Sequence, residues 1–104
     1  MKLNLLERFT VLQILPQKGN FATLNIVRKL QEALAPSEEE FKKYEIKQDG
    51  DQTKWNKKGL EEVEIQLGEK AIEIVVSTLK ELDKENTLTP QHLTIYEKFV
   101  TKKD

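Results

Sequence analysis

The chain is 104 residues long, contains no cysteine, and has a formal net charge of −1 with 34% charged residues. This length allows one domain with one core, and the lack of cysteine excludes a disulfide framework, a thiolate nucleophile and a cysteine-based zinc site. The longest apolar runs, such as residues 74–76, are too short to cross a membrane, and Glu7 and Arg8 interrupt any signal segment, so we expect a cytoplasmic protein with no membrane contact.

The first 35 residues are predicted to form two packed helices. Asn4 and Glu7 have the spacing of a capping box, and apolar residues then recur on one helical face at positions 5, 6, 9, 12 and 15. Pro16 ends this helix, and either Asn20 or Thr23 can cap the next one. Because the connection is short, we expect the two helices to pack as an antiparallel or angled pair.

The middle of the chain is predicted to contain a β-hairpin. Ser37 and Glu40 form a second candidate capping box, followed either by a brief turn of helix or directly by a strand. Residues 44–47 and 52–55 then flank an Asp-Gly pair at 49–50, which is a recognised hairpin signal between alternating segments.

The last third is predicted to form a strand and two helices. Apolar residues at 63, 65 and 67 alternate with polar ones, which is typical of a strand with one solvated face. Beyond Gly68 the apolar period changes to 3.6, which favours an amphipathic helix over another strand. Thr89 and Pro90 have the types expected at the N-cap and first position of a final helix, after which residues 101–104 are expected to fray.

These elements predict an α+β fold with about four helices in two pairs and a small antiparallel sheet of two or three strands between them in sequence. The single domain, residues 1–104, then divides into a helical pair at 1–35, a hairpin or small sheet at 41–67 and a helical pair at 69–100. The periodic apolar positions predict a core of Phe9, Leu12, Leu24, Val27, Leu30, Ile46, Val63, Ile65, Ile72, Val75, Leu79, Leu82, Leu93, Tyr96 and Phe99.

Residues that could support catalysis are few. His92 is the only histidine, and nothing in the sequence places a carboxylate or hydroxyl beside it. The acidic runs at 38–40 and 61–64 lack the spacing of a calcium loop, and the four glycines are scattered rather than grouped into a phosphate-binding loop. We therefore expect no enzymatic activity, no cofactor and no metal.

Charge is distributed unevenly along the chain. Residues 1–35 carry five basic and two acidic side chains, residues 36–58 carry six of each, and residues 59–104 carry six basic and ten acidic ones. A basic front and an acidic back favour contact between unlike faces, within one molecule or between copies, although two ordinary solvated surfaces give the same pattern.

We interpret the protein as a non-catalytic protein-interaction or assembly module that self-associates. Any other protein partner is not identified by the sequence. The candidate contact surface is the exposed edge of the hairpin with Tyr44, Lys54 and Trp55, because an unpaired strand edge can accept another strand. Aromatic residues are enriched in partner-binding anchors, but a single Trp at a strand end also fits a core position against Tyr44 or the final helix.

The alternative is a nucleic-acid-binding regulator that resembles a winged helix. Two helices precede a lysine-rich hairpin, so Arg28 and Lys29 would approach the major groove while Lys47, Lys54 and Lys57 contact phosphates. The acidic side chains of the same region, the sequence pI of 5.9 and the lack of a clear third helix before the hairpin argue against it. Lysines on an exposed ribbon also protect its edge from aggregation.

Three stretches together resemble small, functionally uncharacterised proteins encoded by bacteriophages and prophages. They are residues 15–23 (LPQKGNFAT), Trp55-Asn56, and residues 88–93 (LTPQHL) with residues 96–99 (YEKF). The resemblance would cover most of the chain, through caps, turns and core positions, and it assigns no activity to any residue. The resemblance implies that the module is phage-related and acts in a phage-infected bacterial cytoplasm or in a virion. Small multi-copy adaptors and proteins that bind and modulate host proteins are common there.

Overall fold

The computed structural model describes residues 1–101, and the predicted fraying of the last three residues lies outside this part. The helices are α1 (Leu5–Ile14), α2 (Phe21–Leu34), α3 (Glu38–Lys43), α4 (Glu69–Lys84) and α5 (His92–Tyr96), with a 3₁₀ turn at Lys57–Leu60 and a π turn at Glu97–Thr101. The strands are β1 (Lys2–Leu3), β2 (Lys47–Asp49), β3 (Gln52–Lys54) and β4 (Val63–Glu64). These elements confirm the α+β fold.

Local capping signals place three of the helix starts. The Asn4 side chain accepts from the Glu7 amide at 2.8 Å, and the Glu7 carboxylate accepts from the Asn4 amide at 2.9 Å, which completes the predicted capping box of α1. Asn20 rather than Thr23 caps α2. Ser37 caps α3 in a second capping box, so a helix and not a strand follows it. Each of these contacts spans only three residues, which is why sequence alone reveals it.

The strands form two separate antiparallel pairs instead of one sheet. β2 pairs with β3, whereas β4 pairs with β1, with Lys2 opposite Glu64 and Leu3 opposite Val63. The predicted strand at 63–67 therefore exists only at its start, and its partner comes from the beginning of the chain. A bond from the Ile65 amide to the Met1 carbonyl, 2.8 Å long, extends this pairing.

One hydrophobic core joins α1, α2, α4, α5 and the β1–β4 pair. Two predicted core residues are exposed instead: Leu24 by 36% and Leu93 by 55%. The buried positions of this region are Ile95 in α5 and Phe99 in the π turn that follows it, and Leu93 lies two residues from Ile95, on the opposite side of the helix. The buried residues also include six that the predicted core omits, although positions 5 and 15 lie on the predicted apolar face of the first helix: Leu3, Leu5, Val11, Leu15, Leu34 and Ile95.

A buried arginine links the first three helices. Arg8 is only 2% exposed, and its guanidinium donates to the carbonyls of Leu34 (3.0 Å) and Ala35 (3.1 Å) at the end of α2. The same group pairs with both oxygens of Glu40 in α3, at 2.7 and 3.1 Å. These hydrogen bonds lower the pKa of Glu40 from its ordinary 4.5 to about 2. We call this cluster the Arg8 clamp; it fixes α3, and thereby the start of the hairpin, on α1.

A second ionic cluster joins the N-terminal strand to the last helical turn. The Lys98 ammonium donates to buried Glu7 at 2.6 Å, to the Lys2 carbonyl at 3.0 Å and to the Glu62 carboxylate. Partial burial opposes the charged form of Lys98, but the hydrogen bonds from Lys98 to Glu62 and Glu7 outweigh it and raise the pKa of Lys98. This Lys98 cluster holds the β1–β4 pair against the π turn.

Candidate interaction surface: the β2–β3 hairpin and its groove

The hairpin is a short ribbon closed by a tight turn. Its register pairs Lys47 with Lys54 and Asp49 with Gln52, which leaves Gly50 and Asp51 as the two-residue loop. Gly50 has a φ of +62°, and Asp51 has no positive φ, the combination expected of a type II′ turn with glycine at its first central position. The predicted hairpin is therefore confirmed, but its first strand is Lys47–Asp49 and not the predicted 44–47, and its second strand, Gln52–Lys54, ends one residue before the predicted 52–55.

Every residue of both strands is exposed. Because the sheet contains only these two strands, each has an outer edge with no neighbouring strand in the described part of the chain. Thr53 donates to the Gln48 side chain at 2.9 Å, and Gln48 donates to the Gly50 carbonyl, also at 2.9 Å. These side-chain bonds stabilise the ribbon although no core side chain covers either strand.

The base of the hairpin is anchored to the end of α3. The Asn56 amide donates to the Tyr44 carbonyl at 2.8 Å, and the Asn56 side chain donates to the Lys43 carbonyl and the Glu45 carboxylate, each at 3.0 Å. Glu45 has a φ of +51°, an uncommon backbone conformation for a residue with a side chain. The hairpin is thus held at its base and free at its tip.

Trp55 packs against α1 at the foot of β3. Its ring centroid lies 5.4 Å from that of Phe9, with the two rings tilted by 46°. On another side it touches Gly59, where an added Cβ would lie 2.4 Å from Trp55 Cδ1. Only glycine allows this approach of the 3₁₀ turn to the indole. The Trp55 partners are therefore Phe9 and Gly59 rather than the predicted Tyr44 or final helix.

A groove of about 440 Å³ separates the β3 side of the hairpin from α1. We call it the hairpin groove. The polar part of its lining includes Gln13, Gln52 and Thr53, and the apolar part includes Leu6, Phe9 and Trp55. The groove therefore offers apolar contact area and amide groups that can donate and accept hydrogen bonds.

The three predicted contact residues have different environments. The prediction is wrong for Tyr44, because its side chain is 2% exposed and cannot supply contact area. Lys54 is 61% exposed and pairs with Asp49 at 3.0 Å across the ribbon. Trp55 is half-buried and lines the hairpin groove. Sequence reasoning missed Leu6 and Gln13, since in isolation they look like ordinary positions along a helix.

The residues of the nucleic-acid alternative are divided between two places. Arg28 and Lys29 are exposed on α2, which packs mainly on α1 and α4, and Lys29 lies beside Lys70 at the start of α4. Lys47, Lys54 and Lys57 are exposed on the hairpin and the following 3₁₀ turn.

A third helix, as expected of a winged helix, is present before the hairpin, but its acidic first turn is unsuited to contact with DNA phosphates. α3 lies between α2 and the hairpin, and its first turn consists of three glutamates, Glu38, Glu39 and Glu40. Acidic side chains at that point would repel phosphates. The helix is also only six residues long.

The catalytic candidates have structural contacts. His92 Nδ1 accepts a hydrogen bond from the Thr89 amide at 2.9 Å, so the imidazole caps the turn that leads into α5. Among the described residues, 1–101, no group of three or more histidines, cysteines or acids could hold a metal ion. No helix of this part is long and apolar enough to cross a membrane.

Comparison with known proteins gives no match: no family model, no curated protein and no solved structure is similar to this chain.

Proposed function

We propose that this chain is a non-catalytic protein-interaction or assembly module that self-associates through its hairpin. The observation that carries the proposal is the hairpin itself, a two-stranded ribbon whose six strand residues are all exposed and whose outer edges have no neighbour in residues 1–101. Native proteins usually cover such an edge or keep it very short.

The physical basis is β-strand addition. The outward amides and carbonyls of the hairpin are hydrated in the free protein, and a partner strand would replace those water contacts with a ladder of direct hydrogen bonds. Because the net gain from each exchange is small, affinity depends on side chains that pair across the new ladder.

Anchoring of the hairpin favours this role. Asn56 and the Arg8 clamp hold the base of the ribbon on the helices, so pairing at its edge would order few additional residues. A preformed edge loses less conformational entropy on association than a segment that must fold first. The same rigidity suits a small adaptor present in many copies, in the phage or prophage setting that the sequence resemblance implies.

The proposal is tested by the state of the protein in solution. Sedimentation equilibrium from low micromolar to millimolar protein should reveal reversible self-association. Amide ¹H–¹⁵N spectra over the same range should change at residues 44–56 and stay constant in α4, which lies outside the hairpin. A protein that stays monomeric throughout, or one whose spectral changes fall in α4 instead, would contradict the proposal.

A further inference from the structure

The two edges of the hairpin have different surroundings. Asp51, Gln52 and Thr53, on the β3 side, line the hairpin groove together with α1, whereas no residue of β2 does so. All three residues of β2 are exposed. The outer edge of β2 is therefore not part of the hairpin groove, and within residues 1–101 no strand pairs with it.

The register determines which backbone groups point outward from β2. In a two-residue hairpin the pair that closes the loop, here Asp49 and Gln52, exchanges hydrogen bonds. Antiparallel pairs alternate, so the Lys47–Lys54 pair is also bonded, and the amide and carbonyl of Gln48 point away from β3. Gln48 is thus the residue through which β2 could pair with another strand.

The side chains of β2 are self-complementary about that residue. If β2 pairs antiparallel with β2 of a second copy and Gln48 lies opposite Gln48, Lys47 of each copy lies opposite Asp49 of the other. β3 lacks this property. If β3 paired antiparallel with β3 of a second copy about Thr53, Lys54 of each copy would lie opposite Gln52 of the other, and no opposite charges would meet. Opposite charges across a ladder stabilise it, and like charges destabilise it.

The monomer leaves one of these charges unfavourably placed. Lys47 lies directly opposite Lys54 in the hairpin, and it forms no ion pair within residues 1–101. Lys54 instead reaches diagonally to Asp49, which is 70% exposed and still accessible to a second cation. Pairing between copies would give Lys47 the carboxylate that it lacks within residues 1–101.

From this geometry we infer that two copies pair through their β2 edges, antiparallel about a two-fold axis at Gln48, to form a four-stranded sheet in the order β3–β2–β2–β3. The inference rests on the proposed function and specifies its contact. It leaves both hairpin grooves, on the outer sides of the sheet, open to a further protein.

Charge exchange tests the register. In the inferred dimer, residue 47 of each copy lies opposite residue 49 of the other, at two symmetry-related places. K47D would put two acids opposite each other at both places, and D49K would put two lysines there. Each variant should therefore raise the dimer dissociation constant roughly tenfold. The double variant K47D/D49K restores opposite charges and should return the constant to within about threefold of wild type. Sedimentation equilibrium at low ionic strength measures all four proteins.

Proline substitution tests the edge. Q48P removes the outward amide of β2 and should abolish dimer formation, while T53P removes the equivalent amide of β3 and should leave it intact. Circular dichroism and amide spectra must first show that both variants are folded. If either proline variant is unfolded, the charge-exchange variants alone test whether the β2 edges form the dimer contact.

The outcomes separate the inference from the proposed function. Self-association that resists both single charge reversals, or that is lost in T53P but not in Q48P, would overturn the β2 register while leaving a self-associating module. A wild-type protein that is monomeric at millimolar concentration would overturn both. Weakening in both single variants followed by rescue in the double variant would support the register specifically, because the two single reversals shift the net charge in opposite directions and a general charge effect would not weaken both.

Discussion

The helical body and the hairpin use their charged side chains in opposite ways. In the body, Arg8 and Glu7 are buried and have several hydrogen-bond partners, which join segments far apart in the sequence. In the hairpin, the Lys54–Asp49 pair is more than half exposed on both sides and joins two strands that the turn already connects. Charges in the first region therefore determine the fold, and those in the second remain available to a partner.

The largest effect should come from removing the Arg8 guanidinium. R8M would leave the Glu40 carboxylate and two carbonyls at the end of α2 without their partner, at a cost of roughly 3–5 kcal/mol. Urea denaturation should detect this as a large fall in the unfolding midpoint. The matched control is R28M, which removes an exposed arginine that, within residues 1–101, donates a side-chain hydrogen bond to Asn25 alone, and it should change stability by less than about 0.5 kcal/mol. An equal fall in the unfolding midpoint of R8M and R28M would contradict the view that the buried arginine stabilises the fold and the exposed one does not.

The Arg8 clamp should also determine the acid sensitivity of the fold. The pKa of Glu40 is about 2 in the folded protein and 4.5 ordinarily, so its stabilisation is present above pH 4.5 and is lost as pH falls toward 2. The full contribution corresponds to about 3 kcal/mol. Urea denaturation at pH values across this window should show the loss in wild type and a smaller one in E40Q. An unchanged acid profile in E40Q would show that other carboxylates govern it.

A smaller effect is expected where the hairpin joins the body. G59A places a Cβ against the Trp55 indole and should destabilise the protein by about 1–3 kcal/mol, with a change in tryptophan fluorescence. In the control G19A the new Cβ meets Thr23 at an ordinary 3.5 Å, so stability should stay level or rise slightly. Unaltered fluorescence in G59A would mean that the 3₁₀ turn moves instead of the indole.

The smallest effect on folding should come from the hairpin lysines. K54E/K57E alters exposed side chains only and should change the free energy of unfolding by at most about 1 kcal/mol. The same variant tests the nucleic-acid alternative in a titration of labelled duplex DNA. We expect no binding by wild type even at low salt; binding that falls linearly with log salt, and that K54E/K57E weakens and flattens, would favour the winged-helix function.

Sequence predicted the features that depend on neighbouring residues. The Asn4–Glu7 and Ser37–Glu40 boxes, and the hairpin at Asp49-Gly50, follow from chemistry within a few positions. It did not predict the contacts that the fold creates between distant positions. Arg8 and Glu40 are 32 residues apart, and nothing near Arg8 in the chain distinguishes it from a solvated arginine.

The candidate site was predictable only in part, for the same reason. The Asp49-Gly50 pair and its flanking segments located the hairpin and its exposed lysines, whereas the burial of Tyr44 depends on tertiary packing that the local sequence does not reveal. Lys47 and Asp49 were visible in the sequence, but their relation across a two-fold axis appears only once the register and the open edge are known.

The Lys98 cluster has a consequence for the order of events during folding. Its bonds connect Lys98 to the Lys2 carbonyl and to Glu7, across 96 and 91 residues, whereas the Arg8 clamp closes within the first 40 residues. Because closing the longer loop costs more conformational entropy, we expect the Lys98 contacts to form later in folding than the Arg8 clamp. Late contacts resist unfolding more than they speed folding, so K98M should raise the unfolding rate and leave the refolding rate nearly unchanged in stopped-flow experiments.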